Sequence, residues 1–339
     1  MGLELGKREL KHEVDTTGAD IGYRAIQVRL QLSYGITVSR EVVRQQLLEG
    51  DPQGVELQRR GTLRRRVYVN KGPNYLIHVD GYDKLKRYGL RIHGAIDGYS
   101  KKLLWLYVGH SNNDPKYVAY NFTQYINCIK GVLRCIRMDR GTENTLIEDI
   151  QATIRECHTD DMARNSVLYG SSTHNQPIER WWRSARQLGL QYYLNYFKDL
   201  EIAGNFETGN HKDVMCLRYC FMHIVKQKLH EIMMEWNQHT RRSTGDSLGG
   251  IPNVLYGHPE LQGDSPNFLV SYIVDHKTMV EQQDIDDVIT LCMRPKQRGV
   301  DEADRKDLNN LVQDLNGQFI IPCSIEAAKD LYIQLRLLL

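Results

Sequence analysis

Hydrophobic and polar positions divide the chain into a helical front, a middle of short apolar runs and a helical rear. Residues 21–32 carry apolar side chains at helical spacing behind Asp20, a candidate N-cap. Ser33-Tyr34-Gly35-Ile36 reads as a tight turn, and Ser39 can cap a second helix over 40–49. Residues 74–82 are rich in aromatic and β-branched side chains and follow Gly72-Pro73, which predicts a strand. Residues 90–95 and 103–108 are two more such runs. They are joined through Asp97-Gly98-Tyr99-Ser100, and an Asp-Gly pair favours a hairpin. A helix is predicted over 116–129, a fourth strand over 132–138, a helix over 142–155 and a short fifth strand over 166–169. A long helix over 177–197 has Pro177 in its first turn, where the missing N–H costs nothing. Further helices are expected over 214–240, 280–293, 304–315 and 325–338, with a break at Gly249-Gly250-Ile251-Pro252. Leu331, Leu335 and Leu338 give the last helix an apolar stripe for docking or oligomer contact.

Three carboxylates stand at the joints of this pattern. Asp80 and Asp139 each close a run of strand character, and Glu179 opens the long helix. Taken singly, an Asp at a strand end is a turn residue, and a Glu early in a helix complements the dipole. Asp97 reads as the hairpin turn, and Asp83 and Glu143 as neighbours that orient the site. Asp80, Asp139 and Glu179 together suit a different task. Phosphodiester chemistry uses two hard cations roughly 3.5–4 Å apart that hold the attacking and leaving oxygens. Magnesium keeps several waters and takes few carboxylates, so three acids are enough. Three strands, helix, strand, helix, strand, helix is also the element order of a ribonuclease-H-like fold, an α/β class with a mixed five-stranded sheet flanked by helices.

The blocks Asp80-Gly81-Tyr82-Asp83-Lys84-Leu85, Ile96-Asp97-Gly98-Tyr99-Ser100 and Asp139-Arg140-Gly141-Thr142-Glu143-Asn144, followed by His174-Asn175-Gln176-Pro177-Ile178-Glu179, carry a resemblance. The stretch 72–246 resembles the integrase core shared by retroviral integrases and DDE transposases, and is closest to integrase-core proteins of animal genomes. The resemblance implies that Asp80, Asp139 and Glu179 are catalytic and bind Mg²⁺, with Mn²⁺ as substitute. It implies attack on a phosphodiester by water or a DNA 3′ hydroxyl, and a homo-oligomer that handles two DNA ends. It also places Lys84, Arg140, Asn144, His174 and Asn175 along DNA. Arg183 and Arg186 fall four and seven residues after Glu179 on the same helical face, as DNA passing over the metals requires. The competing reading of Arg183 is an ion pair with Glu179. Trp181 and Trp182, being adjacent, are expected to point apart, one to the sheet and one to a partner surface. Two departures stand out: 39 residues separate Asp139 from Glu179, a few more than in retroviral integrases, and Pro177 occupies a position where a basic residue is expected.

The front of the chain points to DNA independently. Residues 1–55 look like a helix-turn-helix whose second helix would present Arg40, Arg44 and Gln45 to a major groove. A helical hairpin that merely packs on the core is the plainer alternative. The segment 56–71 holds six Lys or Arg, among them Arg64, Arg65 and Arg66, against one acid, and between those modules it reads as a phosphate-tracking linker.

The overall charge of +2 hides a basic front and an acidic tail. Seven cysteines without a regular framework point to a reducing compartment, and no membrane-length apolar stretch occurs. With DNA as substrate, the expected location is the nucleus. No zinc is expected: no Cys precedes Cys128, and Cys216, Cys220 and His223 repeat as a helix's buried face does. The chain thus reads as a helix-turn-helix segment (1–55), a basic linker (56–71), a catalytic core (72–246) and a mostly helical C-terminal region (247–339). Its expected function is DNA integration by a metal-dependent polynucleotidyl transferase of mobile-element origin. The alternative is a domesticated or inactive copy that only binds nucleic acid.

Overall fold

The computed structural model describes residues 23–50, 70–156, 158–160, 162–170, 175–243, 249–262, 273–318 and 321–339. Asp20, His174, Arg64, Arg65, Arg66 and the rest of the basic stretch up to residue 69 lie outside them. In chain order the helices are α1 (Tyr23–Tyr34), α2 (Arg40–Gly50), α3 (Pro115–Ile129), α4 (Thr145–Arg155), α5 (Gln176–Ala185), α6 (Gln191–Ile202), α7 (His211–Gln238), α8 (Pro252–Gly257), α9 (Gln282–Thr290), α10 (Glu302–Asn316) and α11 (Ile325–Leu338). The strands are β1 (Leu76–Tyr82), β2 (Arg91–Asp97), β3 (Leu103–Gly109), β4 (Gly131–Val132), β5 (Cys135–Met138), β6 (Val167–Tyr169) and β7 (Thr278–Met279).

Five strands form one sheet in the order β3-β2-β1-β5-β6. The first three are antiparallel neighbours, whereas β5 and β6 run parallel to β1. This is the ribonuclease-H-like arrangement that the element order predicts. Asp97 makes the β2–β3 turn as expected. One of its oxygens accepts from the Tyr99 and Ser100 N–H groups and the Ser100 hydroxyl, and the other accepts from the Asn74 N–H at 2.9 Å.

The sheet buries both faces, each under a different set of helices. Ile77, Val79, Ala95, Ile136 and Met138 pack with Val118, Phe122 and Ile126 of α3, Ile147 and Ile150 of α4, and Ile285 and Val288 of α9. On the other face Tyr82, Ile92, Ile96 and Leu103 pack with Trp181 and Trp182 of α5, Phe197 of α6, and Phe221 and Val225 of α7. Removing such apolar surface from water, at about 25 cal/mol per Å², is the main force holding the layers together.

The first described helix and the last two join the second of these cores. Ile26 and Leu30 of α1 are fully buried in the second cluster. Arg29 on the same helix makes a buried ion pair with Glu235 of α7 at 2.8 Å. Ser39 caps α2 through a 3.4 Å bond from the Val42 N–H. At the rear, Leu331 and Leu335 of α11 and Leu308 and Val312 of α10 complete the same cluster. The stripe expected to serve docking is therefore mostly used within the chain, although Leu338 is exposed.

Three local expectations are corrected. The strand expected over 132–138 is two strands. Leu133 and Arg134 leave the ladder, accepting from the Gln151 amide and donating to Asn74 O respectively, while β4 pairs with the distant β7. The long helix over 177–197 is interrupted by a π-helical turn at Arg186–Leu190, where Gly189 adopts φ 150°. An enlarged turn frees backbone carbonyls, and Leu188 O accepts from Arg29 Nη2 at 2.6 Å. Trp181 and Trp182 both point inward, being 1% and 5% exposed, because α5 is packed between the sheet and α7.

Candidate active site

β1 and β5 run parallel with Leu76 beside Cys135, Ile77 beside Ile136 and His78 beside Arg137. Carried on two residues, that register sets Asp80 beside Asp139, on strands separated by the roughly 4.8 Å of a sheet. Side chains alternate along a strand. Ile77, Val79, Ile136 and Met138 are sealed under α3 and α4, so His78, Asp80, Arg137 and Asp139 face the opposite side, toward α5.

The N-terminus of α5 is pinned to β1 just before Asp80. Asn175, the residue preceding α5, donates from its amide nitrogen to Val79 O at 2.9 Å. Its amide oxygen then accepts from His78 Nδ1 at 2.7 Å. Burial holds His78 down to about 3, so the ring stays neutral. Seven residues on, Trp182 Nε1 donates to Asp80 Oδ2 at 2.8 Å. Residues 175, 179 and 182 share one helical face, so Glu179 is carried between the two pins. The indole needs space on the sheet and finds it over Gly94, which pairs with Asp80. A Cβ at Gly94 would lie 3.1 Å from the Trp182 ring.

The carboxylates perturb one another. Burial, then the charges of Glu179 and Asp139, push Asp80 up to about 7, with the Trp182 bond acting in the opposite sense. Burial and the Asp139 charge raise Glu179, and burial raises Asp139. Oδ1 of Asp139 is buried without a hydrogen-bond partner. Hard oxygen donors, mutual repulsion and an unsatisfied carboxylate oxygen fit a magnesium-type cation. Among the described residues, no three His, Cys, Asp or Glu side chains come together closely enough to hold a metal ion. Asp80, Asp139 and Glu179 are near enough to feel one another's charge without converging on one ion position.

The other predicted residues divide sharply. Lys84, Arg140 and Arg183 are exposed, Arg140 with its guanidinium over the Tyr169 ring. No ion pair joins Glu179 to Arg183 among the described residues, whereas Arg186 turns back to the Gln191 side chain at 2.9 Å. Asn144 and Asn175 are corrected: they are 4% and 1% exposed and offer no side chain to DNA. Asn144 donates to Asp139 O at 3.2 Å and fixes the turn after that acid, and Asn175 is the β1 pin. Asp83 accepts from Asn112 at 2.7 Å and Glu143 from Asn144 at 3.4 Å, as neighbours that hold the surrounding loops. Arg40 and Arg44 lie exposed on α2, where Arg40 bonds the Gln27 side chain at 3.3 Å and Arg44 pairs with Glu41 at 3.0 Å. Cys216 and Cys220 are fully buried in the apolar core, and His223 bonds Pro322 O. Sequence reasoning missed Trp182 as a partner of Asp80. The signal was its place three residues after Glu179, on the same helical face.

No curated protein matches the chain. The family model for the integrase core domain matches residues 67–264, which include all three carboxylates, the sheet and α3 to α8. With the sheet order, and with one acid on β1 and another directly after β5, this match places the chain in the integrase core domain family, of the ribonuclease-H-like class.

Proposed function

We propose that the chain is a metal-dependent polynucleotidyl transferase that cleaves or joins DNA ends through Asp80, Asp139 and Glu179, and that it derives from a mobile element. The observation that carries this reading is the register that sets Asp80 beside Asp139, with Glu179 delivered to them by a pinned helix. Folding alone gives no reason to gather three carboxylates of which Asp139 raises the other two. Asp80, Asp139 and Glu179 would hold Mg²⁺ or Mn²⁺, whose chemistry when bound is to stabilise the attacking and leaving oxygens of the phosphodiester. Trp182 fixes the rotation of Asp80. Asn144 braces the turn below Asp139, and exposed Lys84, Arg140 and Arg183 are placed to neutralise DNA phosphates.

The α1–α2 pair would read duplex DNA through the exposed Arg40, Arg44 and Gln45 of α2, while the buried side of α1 anchors it. Arg64, Arg65 and Arg66 would continue that contact, His174 would meet DNA beside Glu179, and the working form would be a nuclear homo-oligomer. The second reading, a catalytically silent DNA-binding descendant, draws on the absence, among the described residues, of any three His, Cys, Asp or Glu side chains placed to hold a metal ion. The test is Asp139→Asn. Loss of Mn²⁺-supported cleavage with DNA affinity and melting behaviour retained supports the transferase. Unfolding of the variant instead makes Asp139 a structural residue.

A further inference from the structure

The helix that carries Glu179 is tied at its far end to the front of the chain. α5 runs into the π-helical turn Arg186–Leu190, where Gly189 at φ 150° interrupts the helical backbone. An enlarged turn leaves carbonyls without their usual helical donors, and Leu188 O accepts instead from Arg29 Nη2 at 2.6 Å. Nε of the same guanidinium donates to Glu235 Oε2 at 2.8 Å. One planar fork on α1 therefore joins the turn that follows the catalytic helix to the last part of α7. Arg29 and Glu235 are each only 2% exposed, so water competes little for these bonds.

Arg29 is itself firmly placed. Ile26 and Leu30, its neighbours on α1, are fully buried. Gln27 donates to Val38 O at 2.7 Å and accepts from Arg40 Nε at 3.3 Å, which ties α2 to α1. Between α1, α5 and α7 the fit is looser. A cleft of about 140 Å³ opens there, lined by Ala25, Ser184, Gln187, Glu235 and His239. Elements in a close-packed interior hold one another by continuous contact. Beside this cleft the directed bonds of Arg29 take over that part.

The consequence falls on Glu179. Asn175 and Trp182 bind α5 to β1 on either side of it, at Val79 O and Asp80. A body held at two points can still roll about the line that joins them, and that roll displaces a side chain carried between them. Leu188 O is a third point, tied to α1 and α7 rather than to the sheet, and it opposes the roll. We propose that Arg29 is a positioning residue for Glu179, which makes the front helix pair a working part of the active site. This assignment rests on the reading of Glu179 as a catalytic acid of a transferase. It adds the element outside the core domain on which the placement of that acid depends.

The experiment is Mn²⁺-supported nicking of supercoiled plasmid by the full chain, comparing native protein, Arg29→Lys and the destabilised control Leu335→Ala. Each is assayed at a temperature where its own melt shows it fully folded. Arg29→Lys keeps a cation for Glu235 and loses the fork that also reaches Leu188 O. Leu335→Ala loses core packing at the rear of the chain and leaves both Arg29 bonds in place. The rate at saturating plasmid is expected to fall about 10- to 100-fold in Arg29→Lys, the scale of a displacement of up to about 1 Å at a reacting group. KM for plasmid and duplex affinity in EDTA should stay near native, and Leu335→Ala should keep the native rate. Hydrogen exchange of the metal-free protein should quicken in α5 and the π-helical turn of Arg29→Lys. A native rate in Arg29→Lys, an equal fall in Leu335→Ala, or native exchange across α5 and the turn overturns the positioning role and leaves the transferase reading intact. Absence of nicking by the native protein overturns the transferase reading and the role of Arg29 with it.

Discussion

The indole N–H of Trp182 donates to the Asp80 carboxylate at 2.8 Å, so the helix that carries Glu179 and the strand that carries Asp80 are joined at the acids themselves. A carboxylate at a strand end otherwise rotates freely. Here the indole bond and a backbone bond from Gly81 both act on the carboxylate and set its orientation.

Trp182→Phe keeps a ring over Gly94 and Tyr82 but removes the donor. Outer partners of metal ligands typically contribute about 10–100-fold in affinity or activity. The Mn²⁺ midpoint for DNA nicking is expected to rise by about that factor, with the circular dichroism spectrum unchanged. An unchanged midpoint would show that the bond serves packing alone.

Asn175→Ala removes both pins at the start of α5 and leaves Val79 O and His78 Nδ1 buried without this partner. Stranding such groups costs about 1–3 kcal/mol. Urea melts should show a loss in that range, accompanied by weaker nicking because Glu179 is no longer held. A loss below about 0.5 kcal/mol, the scale of a surface change, would contradict the pinning role.

Asp80 sits at about 7 in the folded chain, above its ordinary 3.8, chiefly through burial and then through Glu179 and Asp139. At pH 6 the metal-free folded protein keeps a proton that the unfolded chain releases. The stability contributed by this group is complete below 3.8 and is lost as pH rises through about 7. Against Asp80→Asn, the native metal-free protein should lose melting temperature between pH 4 and pH 7. Mn²⁺ binding at pH 6 should release a proton, read by calorimetry in two buffers of different ionisation enthalpy. Identical melting trends and no proton release in the native protein would remove Asp80 from the ion's ligands.

Arg29→Ala takes the buried ion-pair partner from Glu235 and the donor from Leu188 O. Breaking a buried pair costs about 3–5 kcal/mol. The front helices should then become accessible to limited proteolysis while the core stays resistant. Equal protection in native and variant protein would mean that Ile26 and Leu30 alone hold α1.

The sheet and the paired acids were legible because their signals are local. Runs bounded by Gly72-Pro73 and Asp97-Gly98 mark the strands; Asp139 directly follows one of them, whereas Asp80 lies inside another, which runs on to Tyr82. Which side chains meet across the fold was less legible. The pairing of β4 with β7 joins residues nearly 150 positions apart, and nothing near Val132 signals it. The π-helical turn has the same character. Its Gly189 sits in a good helical pattern, and the partner of Leu188 O is Arg29 at the other end of the chain. Adjacent tryptophans do point apart on an isolated helix, but α5 lies between two packed surfaces, so both directions are inward. Asn144 and Asn175 carry the right chemistry for DNA, yet tertiary packing turns both into braces.

Nicking of supercoiled plasmid with Mn²⁺, comparing native protein with Glu179→Gln, tests the central claim most directly. Nicked and linear products from the native protein, absent from the variant while DNA affinity is kept, are the predicted result. Equal nicking by both would place the chemistry outside Asp80, Asp139 and Glu179. No nicking by either, with salt-sensitive binding by both, would contradict the transferase and leave a DNA-binding protein.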